Sequence, residues 1–287
     1  MAVVATGFFD GVHLGHKKVI DEVVSSARER GEEAIVVSFS QHPRAVFQRD
    51  ARALRLLSSK DEKTARLRSL GIDRVELLEF DSAFASMTAW EYARNLLLER
   101  YGATKVVLGY DNRFGSDGLS TEQIARMLEE RGVEAEIVGP CMIDGKTVSS
   151  TKIRALLEEG DVVAASRMLG YDYSLTGVVV PGKQLGRRLG FPTANLRVCE
   201  PLKQMPARGV YLTRTEVMGK CYFSMTNIAD IAETNIFDFS RDIYSLEIKV
   251  SFLKRIRPMR EFSSLEALSG QLREDETACR SLASGLL

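Results

Sequence analysis

Residues 2–39 read AVVATGFFDGVHLGHKKVIDEVVSSARERGEEAIVVSF. A β-rich run, "AVVAT", gives way to a glycine-flanked loop. A helical pattern follows, in which Val19, Val23, Val24 and Ala27 recur on one face. Gly31 stops that helix, and "AIVVSF" starts a second run of strand type. Strand, helix and strand in this order predict a parallel pair joined by a crossover helix. The alternation continues through "RVELLEF", "TKVVLGY" and "AEIVG", each preceded by a helical segment. Capping boxes mark helix starts at Ser59 with Glu62, Thr88 with Glu91, and Ser120 with Gln123. To about residue 150 the chain reads as α/β, a doubly wound parallel sheet covered by helices on both faces. Such sheets take ligands in the crevice beyond the carboxyl ends of their strands. The loop "GFFDGVHLGH" (7–16) lies there.

From about residue 172 the period changes. "YSLTGVVV", "GVYLTRTEV", "KCYFSMTNI", "TNIFDF" and "YSLEIKVSFLKRI" are β-branched and aromatic, with polar turns between them. They predict an all-β second part, an antiparallel sheet or small barrel. Ser263 with Glu266 then caps a final amphipathic helix carrying Leu265, Leu268 and Leu272. Residues 151–170 read as two short helices joining the parts, which places the domains at 1–170 and 171–287. Trp90, Ala93, Leu97 and Tyr101 follow helical spacing and are expected in the core.

Composition narrows the partners. Lysine plus arginine and aspartate plus glutamate each number 39, for a formal net charge of +0. That leaves no electrostatic footprint for nucleic acid or an anionic membrane, so small-molecule ligands are expected. The basic run "KRIRPMR" (254–260) reads as a solvated strand end. Cys141, Cys199, Cys221 and Cys279 are scattered and form no metal-binding or disulfide pattern. No apolar run approaches a membrane span, and "MAVVATGFF" lacks the basic region of a signal peptide. A reducing, cytoplasmic setting is expected.

His13 and His16, three residues apart where a loop turns into a helix, can face one spot. Backbone N–H groups at a helix N-terminus point there too, which makes an anion site. Imidazole and amide donors aimed together suit a phosphate whose charge grows in a transition state. Gly7, Gly11 and Gly15 let the backbone approach closely. The alternative is two exposed histidines on a turn. In "VSSTKIR" (148–154) the hydroxyls of Ser149, Ser150 and Thr151 open a helix and Arg154 follows, a second anion cradle or an ordinary helix cap. "VVVPGKQLGRRLGFPTAN" carries glycines at 182, 186 and 190 but fits neither the dinucleotide nor the P-loop pattern. By itself it is a glycine-rich β-connection.

H-x-G-H after a strand resembles the nucleotidyltransferase superfamily, in which a phosphate attacks the α-phosphate of a nucleoside triphosphate. Further motifs narrow the likeness. "GFFDGVHLGH", "SFSQHPRAVF" (38–47), "VVLGYDNRFG" (106–115), "VSSTKIR" and "GRRLGFPTANL" (186–196) follow one another along nearly the whole chain. In that order they resemble the prokaryotic bifunctional riboflavin kinase/FMN adenylyltransferase (FAD synthetase) family. The resemblance implies that AMP passes from ATP to FMN, giving FAD and pyrophosphate with Mg²⁺ present. His13 and His16 would stabilise the transferred phosphate. Gly7, Phe8, Asp10, Gly15, Asp111, Ser149, Ser150, Thr151 and Arg154 would hold ATP. Asp10 would brace the histidine loop or reach a magnesium-bound water, and Asp111 is equally readable as a turn aspartate. His42, Pro43, Asn112 and Arg113 would line the flavin side. In the second half Gly182, Lys183, Gly186 and Arg187 would hold ATP, Thr193 and Asn195 would offer oxygens to Mg²⁺, and Glu233 would be the base on the riboflavin hydroxyl.

The chain departs from the family pattern in places. Gln41 replaces a proline and Asn112 a phenylalanine. Ser224, Ala229 and Ser245 stand where glycines are usual, an R-P-T segment is missing, and only four residues separate Ile228 from Glu233. A shortened loop beside a kinase pocket leads to the expectation of a weakened or silent kinase, with the first domain making FAD. A fully bifunctional enzyme, a non-catalytic flavin-binding or regulatory second domain, and a different nucleophilic phosphate in the first are the alternatives.

Overall fold

The computed structural model describes residues 1–41, 54–182, 186 and 189–286. His42, Pro43, Lys183 and Arg187 lie outside the described residues. The chain divides into two compact units, Met1–Ser150 and Thr151–Leu287.

Among the described residues, the main sheet of the first unit has five strands: β1 (Ala2–Thr6), β2 (Glu33–Phe39), β3 (Arg74–Leu78), β4 (Ala103–Gly109) and β5 (Glu134–Val138). All neighbours run parallel in the order β3-β2-β1-β4-β5. Among the described residues, the α-helices are α1 (Leu14–Arg30), α2 (Lys60–Ser69), α3 (Ser82–Ser86), α4 (Ala89–Tyr92) and α5 (Thr121–Glu129). After α4, Ala93–Leu98 widen into a π-helical turn. Alternate residues of the strands supply two cores. Val3, Ala5, Val36 and Val107 pack on Val19, Ile20, Val23 and Ala27 of α1 and on Leu67 of α2. Val4, Ile35, Val106 and Leu108 pack on Tyr92, Leu97, Ile124 and Leu128 from the other face. This is the doubly wound α/β sheet that the sequence predicts. Strand order reverses at β1, and the crevice for a ligand opens beyond β1 and β4.

Local chemistry sets the helix ends. All three predicted capping boxes form, at Ser59, Thr88 and Ser120. Gly31 ends α1 at φ 65°, where a side chain would strain the backbone. Ala93, Leu97 and Tyr101 are buried as expected, and Arg131 lies over the Trp90 ring.

A short hairpin, β6 (Met142–Ile143) with β7 (Lys146–Thr147), precedes α6 (Ser150–Glu159) and α7 (Val162–Leu169). The strands of the second unit are β8 (Ser174–Val180), β9 (Ala194–Val198), β10 (Gly209–Val217), β11 (Lys220–Ile228), β12 (Ala232–Ile236) and β13 (Glu247–Pro258). They close an antiparallel barrel in the order β10-β11-β12-β9-β8-β13. Inside the barrel, Thr213, Thr215, Ser224, Thr226 and Thr234 are fully buried and bond to one another through their hydroxyls. Ser224, read from the sequence as a lost glycine, thus has partners on two neighbouring side chains.

Two sequence expectations need correction here. The final helix, α8 (Leu265–Ser284), is capped by Ser264, not Ser263, because the Ser264 hydroxyl accepts from the Ala267 N–H at 3.1 Å. The run "KRIRPMR" is not simply solvated. Arg257 pairs with Asp275 of α8 at 2.7 Å, with the two side chains 10% and 3% exposed. Removing one partner of such a pair costs about 3–5 kcal/mol, because a buried charge is left alone. Arg255 donates to the carbonyls of Glu159 and Arg208.

Candidate active site

The loop after β1 places the histidines. His13 is the N-cap of α1, and its Nδ1 accepts from the His16 N–H at 3.2 Å. A neutral His13 therefore carries its proton on Nε2. The two rings stack, with centroids 3.6 Å apart and planes 13° from parallel. A Cβ on Gly15 would come within 3.1 Å of the His13 ring, so glycine makes room for the stack. Phe9 meets His16 edge-on at 5.2 Å. Burial, then the neighbouring His13 and Lys63, hold the His16 pKa well below the ordinary histidine range. At neutral pH His16 is an uncharged imidazole, and its buried Nδ1 has no partner among the described residues. Buried polar atoms are seldom left so, and a ligand atom is the natural partner.

The loop itself is strained and pinned. Phe9 (φ 53°) and Val12 (φ 39°) are left-handed without being glycines. Such residues cost about 1–3 kcal/mol each and persist only where surroundings hold them. The Asp10 carboxylate accepts from the backbone N–H groups of Leu57 and Ser58, at 2.9 and 3.2 Å. The Asp10 carbonyl accepts from the Ser150 hydroxyl at 3.0 Å, and the Gly11 N–H donates to the Ser58 hydroxyl at 3.0 Å. Ser150 thus meets the loop of its own unit, Ser149 belongs to the same unit, and Thr151 and Arg154 of α6 belong to the second.

Beyond β4, Asp111 and Arg113 are exposed. Asn112 turns inward, and its amide donates to the Thr6 carbonyl at 2.6 Å, tying this loop to the end of β1. The Tyr92 hydroxyl lies 2.5 Å from the Thr6 hydroxyl. Phe39, Phe80, Phe84, Tyr92 and Phe114 form a continuous chain of ring contacts, with centroids 4.8–5.5 Å apart. Sequence reasoning missed this aromatic wall, because its members come from separate elements. It also missed Lys63, which is buried beneath the histidine loop.

In the second unit a cleft of about 520 Å³ is lined by Gly182, Thr193, Asn195, Thr234, Arg241 and Tyr244, among others. A Cβ on Gly182 would fall 2.2 Å from the Asn195 amide, and one on Gly186 would fall 2.4 Å from the Phe191 carbonyl. Both glycines are therefore close-approach positions. Barrel register sets Glu233 opposite Asn195 on one side and opposite Asn227 on the other. Directly opposed residues share a face, so Asn195, Glu233 and Asn227 form a polar row across three strands. Thr193, Asn195 and Glu233 offer hydroxyl, amide and carboxylate oxygens, a hard donor set of the kind Mg²⁺ takes.

Ser245 has a left-handed backbone, at φ 64°, and its N–H donates to the Val179 carbonyl at 2.9 Å. A non-glycine residue there costs about 1–2 kcal/mol, and glycine would return about 0.4–1 kcal/mol of that through the unfolded chain. Ser245→Gly is expected to stabilise the protein by about 0.5–1 kcal/mol. Equilibrium denaturant unfolding checks this, and an unchanged or lower midpoint refutes it.

Comparisons with known proteins bear on both units. The FAD synthetase family model matches residues 1–152, and the riboflavin kinase model matches residues 169–283. A bifunctional riboflavin kinase/FMN adenylyltransferase of Listeria monocytogenes is 32% identical, covering 99% of this chain and 93% of the relative. Those of Bacillus subtilis and Escherichia coli K12 are each 31% identical, covering 96% and 97% of this chain and 90% and 91% of their own. A solved structure described as a macrolide-efflux protein from Streptococcus pneumoniae superposes with a TM-score of 0.91 at 33% identity, covering 97% of this chain and 93% of its own. Among the described residues here, no helix is long and apolar enough to cross a membrane.

The expectation of a weakened kinase finds no support. The riboflavin kinase match runs through the shortened segment. In the fold, that segment is the tip of the β11–β12 hairpin, with Ile228 paired to Ala232 and Asn227 to Glu233. Residues 229–231 turn the chain between two strands whose pairing is regular up to the tip.

Proposed function

The chain belongs to the bifunctional riboflavin kinase/FMN adenylyltransferase family, and on that premise we propose that it carries out both reactions. Residues 1–170 are assigned to transfer of AMP from ATP to FMN, giving FAD and pyrophosphate. Residues 171–287 are assigned to phosphorylation of riboflavin.

The stacked histidine pair at the mouth of the crevice carries the first assignment. A phosphate oxygen of FMN attacks the α-phosphorus of ATP, a new P–O bond forms, and the bond to pyrophosphate breaks. Negative charge grows on the α-phosphate oxygens. The His13 Nε2–H, the His16 imidazole and the first-turn amides of α1 are donors already in place for it. Asp10 braces the loop, and the hydroxyls of Ser149, Ser150 and Thr151 with Arg154 hold the outer phosphates. Gly7, Phe8, Gly15 and Asp111 border the nucleotide, while Asn112, Arg113, His42 and Pro43 serve the flavin side. No covalent enzyme intermediate is required, so positioning and electrostatics account for the chemistry.

For the second assignment, Thr193 and Asn195 line the cleft and Glu233 is the strand partner of Asn195, which supports a base beside a metal site. Glu233 takes the proton of the riboflavin hydroxyl as its oxygen attacks the γ-phosphate of ATP. Thr193 and Asn195 would hold Mg²⁺, which neutralises phosphate charge when bound. Gly182 and Gly186, with Lys183 and Arg187, border the phosphates.

The test is a product assay with riboflavin and FMN offered separately, each with ATP and Mg²⁺. Riboflavin should give FMN and then FAD, and FMN should give FAD directly. No FAD from FMN would refute the first assignment, and no FMN from riboflavin the second.

A further inference from the structure

Lys63 takes no part in the roles above. It sits in the first turn of α2, only 3% exposed. Its ammonium donates to the Phe8 carbonyl at 3.0 Å, the Ser38 hydroxyl at 3.0 Å and the Phe39 carbonyl at 2.9 Å. An ammonium has three N–H donors, so these acceptors use all of them. Nζ also lies 4.2 Å from the centroid of the Phe8 ring. A saturated, buried ammonium is not a phosphate ligand, and its importance lies in what it joins. Phe8 opens the histidine loop, just before the strained residues Phe9 and Val12. Ser38 and Phe39 are the last residues of β2. The Ser38 hydroxyl itself donates to the Phe8 carbonyl at 3.1 Å, so two donors converge on that one oxygen.

We propose that Lys63 is a positioning residue for adenylyl transfer: one buried ammonium clamps the start of the histidine loop to the end of β2 and holds the strained backbone that aims His13 and His16. This rests on the reading of the first unit as an FMN adenylyltransferase. Without the clamp the loop can relax at Phe9 and Val12, and the histidine pair shifts away from the α-phosphate. Small displacements of this kind cost turnover rather than substrate affinity.

The clamp also has a characteristic pH response. Burial brings the Lys63 pKa down to about 8, with the Asp10 carboxylate opposing the fall. Asp10 from the loop and His16 from α1 are the titratable groups that interact with it. Deprotonation leaves an amine with two N–H donors for three acceptors, so the clamp loosens as pH rises through that value. His16 is already neutral there, and phosphate second ionisations near about 6 are complete. An alkaline fall in FAD formation is therefore the mark of Lys63.

The experiment compares the full-length protein with Lys63→Met and Lys63→Arg. It measures kcat and KM for FAD formation from FMN across the alkaline range, with circular dichroism and thermal unfolding of the same preparations as the check on folding. Lys63→Met is expected to lower kcat about 100-fold with KM for ATP changed less than about threefold. Lys63→Arg is expected to retain part of the activity and to lose the alkaline fall, because guanidinium does not titrate there. Wild-type kcat in Lys63→Met overturns the proposal, as does a wild-type profile that stays flat through the alkaline range. The same alkaline fall in Lys63→Arg also overturns it. If Lys63→Met does not fold, the wild-type and Lys63→Arg profiles decide the matter. A wild-type protein that makes no FAD from FMN at any pH overturns the underlying reading instead.

Discussion

Replacing His16 with alanine is expected to lower FAD formation from FMN by about a hundred- to a thousand-fold while riboflavin phosphorylation by the same protein is unchanged. The size follows from what the side chain contributes. Loss of one preorganised donor at a developing oxyanion costs about 10²–10³ in kcat. His16 is held neutral by burial, His13 and Lys63, so it brings no fixed positive charge to an incoming triphosphate. Its contribution is directional, which predicts a fall in kcat with a modest change in KM for ATP. A charged histidine would shift both. The substitution leaves the His16 N–H in place, so His13 keeps its helix-capping bond and α1 keeps its start. Steady-state rates for the two reactions on one preparation make the comparison. If FAD formation stays near wild type, or if riboflavin phosphorylation falls with it, the role assigned to His16 is wrong.

Much of this site could be read before folding, and the reasons are local. A capping box is written in four consecutive residues, so Ser59, Thr88 and Ser120 could be placed without tertiary information. The adjacent serines at 263 and 264 could not be told apart, because only the bond to the Ala267 N–H chooses between them. The histidine pair was legible because its loop joins a strand to a helix, and the fold follows from that alternation. Lys63 was not. It lies on a helix with few apolar residues, and its burial comes from Phe8, Ser38 and Phe39, all distant in sequence. The aromatic wall was hidden for the same reason. Strand β9 was read as part of a glycine-rich connection, because the strand "ANLRV" is short and follows a run of glycines. The segment before Glu233 was legible but misweighed. Loss of residues matters at a ligand wall and hardly at all at a hairpin tip, and linear sequence does not distinguish these.

Glu233→Gln isolates the second reaction. Glutamine keeps the size of the side chain and its place opposite Asn195 and Asn227, but it cannot accept a proton at neutral pH. General-base catalysis contributes about 10²–10⁴, so phosphorylation of riboflavin should fall by that factor. The barrel gives no reason for a folding defect. Glu233 is only half-buried, whereas the hydroxyl network inside the barrel runs through Thr234 on the opposite face of β12. FAD formation from supplied FMN should continue at the wild-type rate, while FAD formation from supplied riboflavin should nearly cease. That split is what two independent chemistries on one chain require. A non-catalytic flavin-binding barrel predicts something else, namely no phosphorylation in either protein and no effect of the substitution. A product time course from riboflavin and from FMN, run on wild type and Glu233→Gln, separates the cases. Unchanged riboflavin phosphorylation in the variant would move the base elsewhere. Loss of FAD formation from FMN would mean that Glu233 also supports the first reaction.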